Sequence, residues 1–186
     1  MDALTALHTR NSVGLLTEPG PDKEQLDNIF KAGLRACDHA KLTPWKFLLI
    51  EGDARLKFGE LMADVKAEMD GEGANPDLLE VIQKKPLRAP CIIAVVASIK
   101  EHPKVPEIEQ VLSAGASAQM MMTAAHAQGI GAIWRSGSLM FHEKMHAGLK
   151  LEANDQMIGF LYLGTPVKTK TLPEHDPKDF VKNWVG

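Results

Sequence analysis

Two patterns of hydrophobic and polar residues alternate along the chain, and they predict a mixture of helices and strands. Apolar residues that recur every three or four positions predict helices, whereas short, nearly continuous apolar runs predict buried strands. Strands are predicted at 45–51 (WKFLLIE), 89–99 (APCIIAVVASI), 130–134 (IGAIW) and 155–165 (DQMIGFLYLGT), the last ending before Pro166. With helices between them, the order of elements indicates an α+β or α/β fold with about four core strands.

Polar residues mark where the first two predicted helices begin. The first helix is expected to be capped by Asp2 and to turn Leu4 and Leu7 toward the core. The second helix is expected to begin after Asp22, with Gln25 three residues later, which is a variant of the capping box. Both helices are therefore predicted to have an apolar side that faces the core.

A long helix is predicted in the second half of the chain. It is expected to have Pro106 at its first position, to extend to Gln128 and to be followed by Gly129. Small or apolar residues occupy most of its faces, so we expect protein to enclose it. The range 111–134 carries no Asp, Glu, Lys or Arg, but polar residues and glycines interrupt it. It lacks the unbroken apolar run of about 18 residues that a membrane span needs.

Composition narrows the classes of partner. The chain has 186 residues, a net charge of −3 and a pI near 6.2, which give no electrostatic reason to expect nucleic acid or a membrane as a partner. Two distant cysteines and seven scattered histidines do not have the spacing of metal ligands. The chain begins MDAL, without the features of a signal peptide, and reduced thiols fit a cytoplasmic protein.

Three arginines lie at the ends of predicted elements, and two of them have a serine nearby. Arg10 and Ser12 follow the first helix, Arg35 lies near the end of the second, and Arg135 and Ser136 follow the third strand. Guanidinium and hydroxyl groups are the donors that suit phosphate oxygens. Each pair taken alone is also typical of a surface arginine beside a capping serine, so both interpretations stay open.

Cys37 and His39 suggest a thiol nucleophile, but only weakly. A thiol enzyme needs an imidazole within hydrogen-bonding reach of its sulfur. Cys37 is expected on the apolar face of the second helix, where a cysteine behaves as a small hydrophobic residue. The sequence has no GxSxG, P-loop or HExxH motif, and GIG at 129–131 is too short for a dinucleotide fingerprint. An enzyme without reactive groups of its own usually depends on a cofactor.

Five stretches together resemble the nitroreductase family of flavin enzymes, and most closely its compact bacterial NAD(P)H-dependent branch. They occur in the order typical of the family and nearly span the chain. They are TRNS at 9–12, AGLRACDHAKLTPWKFLLIEG at 32–52, APCIIAVVA at 89–97, SAGASAQMMMTAAHAQGIGAIWRSG at 113–137 and GFLYLGTP at 159–166.

The resemblance implies a fold and an assembly. The fold would be α+β, with a central, mainly antiparallel or mixed sheet of about four to five strands surrounded by helices. Residues 1–166 would form a single flavin-binding domain, and 167–186 would be its C-terminal arm, which extends onto the partner subunit of a homodimer. FMN would lie at the subunit interface. Composition alone leaves it equally open that the apolar residues of this arm dock on their own domain.

The resemblance also implies which residues bind the cofactor. Three segments would contribute: one for the phosphate and ribityl chain, one that reaches the flavin from the partner subunit, and a late turn that closes on the phosphate. In that order they are Arg10, Asn11 and Ser12; Arg35 and His39; and Trp134, Arg135 and Ser136. The nicotinamide dinucleotide is expected near the end of the long helix, at Ala124, Ala125, His126, Ala127, Gln128 and Gly129.

The activity implied is an NAD(P)H-dependent flavin oxidoreductase. NADH or NADPH would transfer hydride to flavin N5, and a nitroaromatic, quinone or similar flat electrophile would then accept two electrons in a ping-pong cycle. No side chain is expected to be catalytic, and no metal is expected. Three alternatives stay open: a non-catalytic FMN carrier or sensor, another flavin reaction such as flavin breakdown or dehalogenation, and a cofactor-free thiol enzyme based on Cys37.

Two residues depart from the family pattern. Cys37 replaces the usual Pro or Ser, and Gly14 replaces a Lys or Arg that many members have near the pyrimidine edge of the flavin. Without that cation the anionic reduced flavin would be less stabilised, which would change the redox potential. The chain also has no room for the long inserted segment that covers the site in larger members, so we expect an open or unusually shaped pocket.

Overall fold

A computed structural model describes residues 1–168 and 171–186, and this part of the chain contains six α-helices and five β-strands. The helices are α1 (Ala3–Thr9), α2 (Lys23–Gly33), α3 (Ala54–Asp70), α4 (Pro76–Gln83), α5 (Glu107–Ala127) and α6 (Glu143–Gly148). The strands are β1 (Leu16–Thr17), β2 (Trp45–Glu51), β3 (Cys91–Ser98), β4 (Gly131–Arg135) and β5 (Asp155–Pro166). Short 3₁₀ turns lie at His39–Lys41, Gly71–Gly73, Lys85–Arg88, Ser138–Phe141 and Pro177–Asp179.

The five strands form one antiparallel sheet. β5 lies at its centre and pairs with β3 on one side and with β4 and β1 on the other, while β2 lies outside β3. Because every pairing is antiparallel, the fold is α+β, and the α/β alternative is wrong. The implied antiparallel sheet of four to five strands is confirmed.

Helices cover both faces of the sheet, and β3 shows how the sequence allows this. Its run of apolar residues supplies both cores, since alternate side chains point to opposite faces. Ile92, Ala94 and Val96 join the core under α3, α4 and α6. Ile93 and Val95 join the core under α2 and α5. The helical layers therefore lie on either side of a strand that is buried from Cys91 to Ala97.

Local signals in the sequence located several elements correctly. β2 has the predicted bounds, and β5 extends one residue beyond its predicted end, to Pro166. The capping box of α2 is present: Gln25 N–H donates to Asp22 Oδ1 (2.8 Å) and Asp22 N–H donates to Gln25 Oε1 (2.9 Å). β1 was not predicted, because two residues are too few for a pattern and only their pairing with the end of β5 makes them a strand.

The expected burial of the first two helices is partly wrong. Leu4 and Leu7 are 64% and 59% exposed, and Ala6 is the buried residue of α1. α2 ends at Gly33, so Cys37 lies beyond it and is exposed, contrary to its expected place on an apolar helix face. Gly33 packs so closely on α5 that a Cβ there would lie 2.7 Å from Met121 Cγ. The apolar spacing continues past Gly33, but the helix does not.

α5 lies close to its predicted bounds, but protein does not enclose it completely. Pro106 is the N-cap and not the first helical residue, and Gly129 follows the helix with a positive φ of 79°. The face toward the sheet is buried. On another side of the helix, Ile108 and Leu112 are exposed. None of the described helices combines the length and hydrophobicity that crossing a bilayer requires.

The described part of the C-terminal tail does not bury its apolar side chains on the domain. These side chains are exposed, and Trp184 is 91% exposed. They are Phe180, Val181, Trp184 and Val185. The alternative in which they dock on their own domain is therefore wrong for this chain. Residues 169 and 170, which belong to the predicted arm, lie outside the described residues.

Candidate active site

Two segments that were predicted to bind the cofactor meet along the edge strand β4. The chain that follows α1 runs beside this strand, where Val13 N–H donates to the carbonyl oxygen of Ala132 (2.9 Å). A Cβ on Gly14 would lie 3.9 Å from Nη2 of Arg135. The fold therefore brings the TRNS turn and the WRS segment together, although they are far apart in the sequence.

Arg10 lies where α1 meets the end of α5. Its backbone N–H donates to the carbonyl oxygen of Ala6 (3.1 Å) and closes α1. Beside it, Thr9 Oγ1 and His126 Nε2 lie 2.9 Å apart. Burial, and then the positive charge of Arg10, lower the pKa of His126. Arg10 therefore acts electrostatically on the segment that was predicted to contact the nicotinamide.

Two buried polar atoms in these segments have no hydrogen-bond partner among the described residues. Asn11 Oδ1 and Arg135 Nε are inaccessible to solvent and form no hydrogen bond with any described residue, whereas Ser12 is exposed. A buried polar group left without a partner costs about 1–3 kcal/mol. One of these atoms accepts and the other donates, so a ligand rich in hydroxyl, amide and phosphate groups would satisfy both.

Trp134 is held in place by β5. Its indole N–H donates to the carbonyl oxygen of Ile158 (3.2 Å). A Cβ on Gly159 would lie 2.3 Å from the indole nitrogen, and Gly159 has a φ of 148°, which disfavours other residues. Trp134 therefore positions the following residues, Arg135 and Ser136. Sequence reasoning did not identify Gly159 as necessary, because a glycine within an apolar strand gives no distinctive signal.

A cavity of about 630 Å³, which we call the basic cavity, opens on the face covered by α3, α4 and α6. Arg135 and Ser136 line it together with residues that sequence reasoning missed. Its basic lining residues are Lys66, Lys85, Arg88 and Arg135, and its hydroxyl-bearing ones are Ser136, Ser138 and Tyr162. Its other walls are largely apolar, with Met62, Ile82, Ile133, Leu139, Met140, Met145 and Phe160.

Tyr162 lies beside two of these cations. The guanidinium carbon of Arg135 is 5.5 Å from the centroid of the tyrosine ring, within the range of a cation–π contact. Burial raises the pKa of Tyr162 to about 12, although the nearby charges of Arg135 and Arg88 act in the opposite direction. The phenol is therefore a neutral hydroxyl donor at physiological pH. No motif marks Lys85, Arg88 or Tyr162, so only the fold could reveal them.

Arg35 and His39 lie elsewhere on the chain. Arg35 is exposed beyond α2, and His39 Nδ1 is 2.5 Å from Glu109 Oε2 in the first turn of α5. Arg10 is beside the last turn of that helix, and a helix of this length spans about 30 Å. The structure therefore does not bring His39 to the Arg10 turn of the same chain.

The loop that carries His39 is tightly constrained. Ala40, Lys41 and Thr43 all have positive φ angles, of 61°, 57° and 48°. The carboxylate of Asp38 accepts hydrogen bonds from the N–H groups of Leu42 (3.0 Å) and Thr43 (2.7 Å). A lysine from the segment after β3, Lys100, donates to the carbonyl oxygen of Leu42. These contacts hold non-glycine residues in a conformation that they rarely adopt.

The predicted nicotinamide segment, 124–129, uses its polar groups within the fold. His126 contacts Thr9, as described above. The side-chain amide of Gln128 donates to the carbonyl oxygens of Gln25 (3.3 Å) and Ala124 (3.1 Å) and accepts from Asn28 Nδ2 (3.1 Å). The segment thus joins α5 to α1 and α2, and a role in binding nicotinamide stays a prediction.

The cysteines do not form a thiol active site. Cys37 is exposed, and the ring of nearby His39 contacts Glu109. Cys91 is fully buried; burial, and then the negative charge of Glu51, raise the pKa of its thiol above the usual range. A protonated, buried thiol is a poor nucleophile. The thiol-enzyme alternative therefore has no geometric support among the described residues.

Comparisons with known proteins identify the family. The sequence model of the Nitroreductase family matches residues 9–165. The protein named "Putative NAD(P)H nitroreductase YdjA" from Escherichia coli K12 is 42% identical over 183 residues, which cover 97% of this chain and 98% of that protein.

Solved structures agree on the fold. The nitroreductase-like family protein from Bacillus cereus superposes with a TM-score of 0.82 at 20% identity, covering 98% of this chain and 96% of that one. A mutant of the FMN and NADPH-dependent nitroreductase NfnB from Sphingopyxis superposes with a TM-score of 0.76 at 20% identity, over 100% of both chains. The family match and the E. coli relative together show that this chain belongs to the nitroreductase family.

Proposed function

We propose that this protein is an FMN-dependent oxidoreductase that uses NADH or NADPH to reduce a nitroaromatic, quinone or similar flat electrophile. The observation that carries the proposal is the junction beside β4, where the buried atoms Asn11 Oδ1 and Arg135 Nε have no partner in the described structure. The relatives add support, since NfnB is described as dependent on FMN and NADPH.

The chain's own residues would bind and orient the cofactor. Arg10 and Ser12 offer donors to its phosphate and ribityl chain, and Asn11 lies between them with an unpartnered acceptor. Arg135 and Ser136 approach from the other side of this junction, held by the fixed ring of Trp134. When bound, FMN would supply two-electron chemistry between NAD(P)H and the acceptor. No side chain then needs to act as a nucleophile or a metal ligand.

The assembly we propose is a homodimer with the flavin at the interface. Ile108 and Leu112 of α5, together with Leu4 and Leu7 of α1, leave apolar surface uncovered in a single chain. Trp184 and its neighbours in the arm at 167–186 do the same, beyond the domain at 1–166. Arg35 and His39 would be contributed by the second copy, since His39 lies far from the Arg10 turn of its own chain.

Because Gly14 has no side chain, there is space beside it, close to the guanidinium of Arg135. Many members of the family have a cation at this position, and here Nη2 of Arg135 lies 3.9 Å from where a Cβ on Gly14 would be. Because Arg135 is assigned to the phosphate, at the other end of FMN from the pyrimidine ring, it would not replace that cation. The anionic reduced flavin would then be less stabilised than in members with a Lys or Arg at residue 14.

An absorbance spectrum of the purified protein tests the cofactor directly. We expect flavin bands near one FMN per chain, and release of FMN on heating. Arg10→Ala with Arg135→Ala should leave the protein folded but without flavin, whereas Lys31→Ala, which removes an exposed cation paired with Asp27, should retain it. Stoichiometric FMN in the double variant would contradict the phosphate assignment.

Steady-state kinetics test the activity. We expect the flavin-loaded protein to oxidise NADH or NADPH when a nitroaromatic or a quinone is present, with the parallel double-reciprocal plots of a ping-pong cycle. Bound FMN without turnover would instead support a carrier or sensor. Products of flavin breakdown or dehalogenation would show that the protein catalyses another flavin reaction.

A further inference from the structure

The basic cavity has more positive charge than its surroundings neutralise. Lys66 is paired with Asp70. Lys85, Arg88 and Arg135 form no ion pair with any described residue, and no carboxylate belongs to the lining. A concave site with unpaired cations attracts an anion and raises its local concentration.

One of these cations is partly buried. Nε of Arg135 is buried without a partner, and its guanidinium lies over the ring of Tyr162. Arg135 ends β4, whereas Lys85 and Arg88 lie in the 3₁₀ turn after α4 and have no part in the proposed flavin site. An anion between them would meet charge from two separate elements.

Neutral donors complete the polar side of the cavity. The hydroxyls of Ser136 and Ser138 line it, and Tyr162 contributes a phenol that stays protonated. A carboxylate or a phosphate accepts hydrogen bonds from hydroxyls as well as from cations. The donor set is therefore suited to an oxyanion and not to a halide alone.

The remaining walls suit an aromatic body. Ile133, Leu139 and Phe160 line the cavity beside the charged group, and the volume of about 630 Å³ is in the range of small-molecule sites. A flat hydrophobic ring would fill the apolar part while its charged substituent faced the cations. Residues 134–136 are shared with the proposed flavin site, which would place the ring close to the cofactor.

We propose that the basic cavity binds anionic aromatic acceptors, and that Lys85 and Arg88 make the enzyme prefer a nitroaromatic carboxylate to its neutral counterpart. This inference rests on the proposed function. In the overall reaction NAD(P)H gives up hydride, and the nitro group takes up two electrons and two protons, forming a nitroso compound and water. The carboxylate is unchanged and serves only for recognition.

The test compares 4-nitrobenzoate with 4-nitrobenzamide, a neutral compound of nearly the same shape. The measured quantity is the ratio of their kcat/KM values in the wild type and in Lys85→Gln with Arg88→Gln. Lys84→Gln is the matched control, because Lys84 is exposed, is paired with Glu80 and does not line the cavity. FMN content is measured for every variant from its absorbance, and folding from circular dichroism.

We expect the double variant to keep its FMN and to lose about tenfold or more in this ratio, since a charge-assisted hydrogen bond contributes about 1.4 kcal/mol or more, which is tenfold in affinity. The control should change the ratio by less than about twofold. An unchanged ratio in a flavin-loaded double variant would overturn the proposal. So would loss of FMN, which would assign the cations to the cofactor, or a raised KM for NADPH alone, which would assign them to the nucleotide.

Calorimetry separates this proposal from the proposed function. If the wild type oxidises no NAD(P)H with either compound, the proposed function fails, yet 4-nitrobenzoate can still be titrated into the protein. Binding that weakens about tenfold in Lys85→Gln with Arg88→Gln would support the cavity assignment. Absence of binding to the folded wild type, or equal binding of 4-nitrobenzamide, would overturn it. If the double variant does not fold, each single variant is compared in the same way.

Discussion

The two faces of the sheet are built from the same strands but are closed in different ways. On the side of α2 and α5, small residues let the backbones approach, as at Gly33 against Met121. On the side of α3, α4 and α6, large side chains such as Phe160 and Tyr162 leave the basic cavity between them. The comparison indicates that the face of α2 and α5 is the scaffold, and that ligand chemistry belongs on the face where side chains leave a cavity.

The largest effect should come from filling a tight contact between α3 and α4, two of the helices that line the cavity. A Cβ on Gly59 in α3 would lie 2.1 Å from the carbonyl oxygen of Gln83, the last residue of α4. That atom is backbone and cannot rotate away, so Gly59→Ala should destabilise the protein by about 3 kcal/mol in urea unfolding. Gly73→Ala, where nothing lies within 4 Å, should cost less than about 0.5 kcal/mol. Equal values would mean that α4 adjusts freely and that the cavity wall is soft.

The second-largest effect should come from Asp155, the first residue of the central strand β5. The carboxylate of Asp155 is buried and accepts from Lys46 Nζ (2.7 Å) and from Glu152 N–H (2.9 Å). Asp155→Asn should therefore cost about 2 kcal/mol at pH 7, which is less than for a fully buried pair because Lys46 is partly exposed. Asp27→Asn, which removes an exposed ion pair with Lys31, should cost at most about 0.5 kcal/mol.

Asp155 also predicts an acid dependence. Burial alone would raise the pKa of Asp155, but the hydrogen bonds from Lys46 and the Glu152 N–H lower it below its ordinary value. A carboxyl whose pKa is lower in the folded state stabilises the fold above its unfolded pKa, near 3.9, and that stabilisation is lost as the pH falls through the folded value. Unfolding of Asp155→Asn should therefore depend less on pH below about 4 than that of the wild type. Identical slopes would contradict the lowered pKa.

Extra volume on the scaffold face should have a smaller effect than at Gly59. In Gly33→Ala the new methyl meets Met121 Cγ at 2.7 Å and Ser117 Oγ at 2.9 Å, which are side-chain atoms that can move. The gain in helix propensity offsets part of the cost, leaving about 1 kcal/mol of destabilisation. A loss larger than that of Gly59→Ala, measured by the same urea unfolding, would reverse the comparison.

The smallest effect is electrostatic and lies at the end of α5. Burial and the charge of Arg10 lower the pKa of His126, so its neutral form is favoured in the folded state. The associated stability is present above the unfolded pKa of about 6.5 and is lost as the pH falls below it. Arg10→Ala should raise the pKa of His126, which NMR titration of the ring can measure, with His8 as an internal control. No change in the His126 titration would show that the guanidinium points elsewhere.

The sequence predicted best the elements whose signals are local. The capping residues Asp22 and Gln25 determine where α2 begins. The apolar run of β3 predicts a buried strand whether the neighbouring strands are parallel or antiparallel to it. The errors arose where burial depends on a distant partner. Leu4 and Leu7 have helical spacing, but the single chain has no surface to cover them. The family was predicted from five motifs that occur in a typical order. No single one of them would have been sufficient evidence.

The candidate site was predictable only in part, for a physical reason. Arg10 and Arg135 belong to motifs that were noticed, and the fold brings their segments together along β4. Lys85, Arg88 and Tyr162 are ordinary residues in their local sequence, and they become a site only when β5 and the turn after α4 approach one another. Lys85 and Arg88 are available to an anion because they form no ion pair with any described residue. The spacing of residues in a sequence does not reveal this. The roles of Arg35 and His39 stay predictions.

The constrained loop that carries His39 has a consequence for how the proposed homodimer would form. Its three residues with positive φ angles, Ala40, Lys41 and Thr43, are fixed by Asp38 and Lys100 within one chain. A second molecule that docks against this surface would find it already shaped, so little additional conformational entropy would be lost on association. The rate of dimer formation should then be governed by collision and orientation, with no slow rearrangement of this segment.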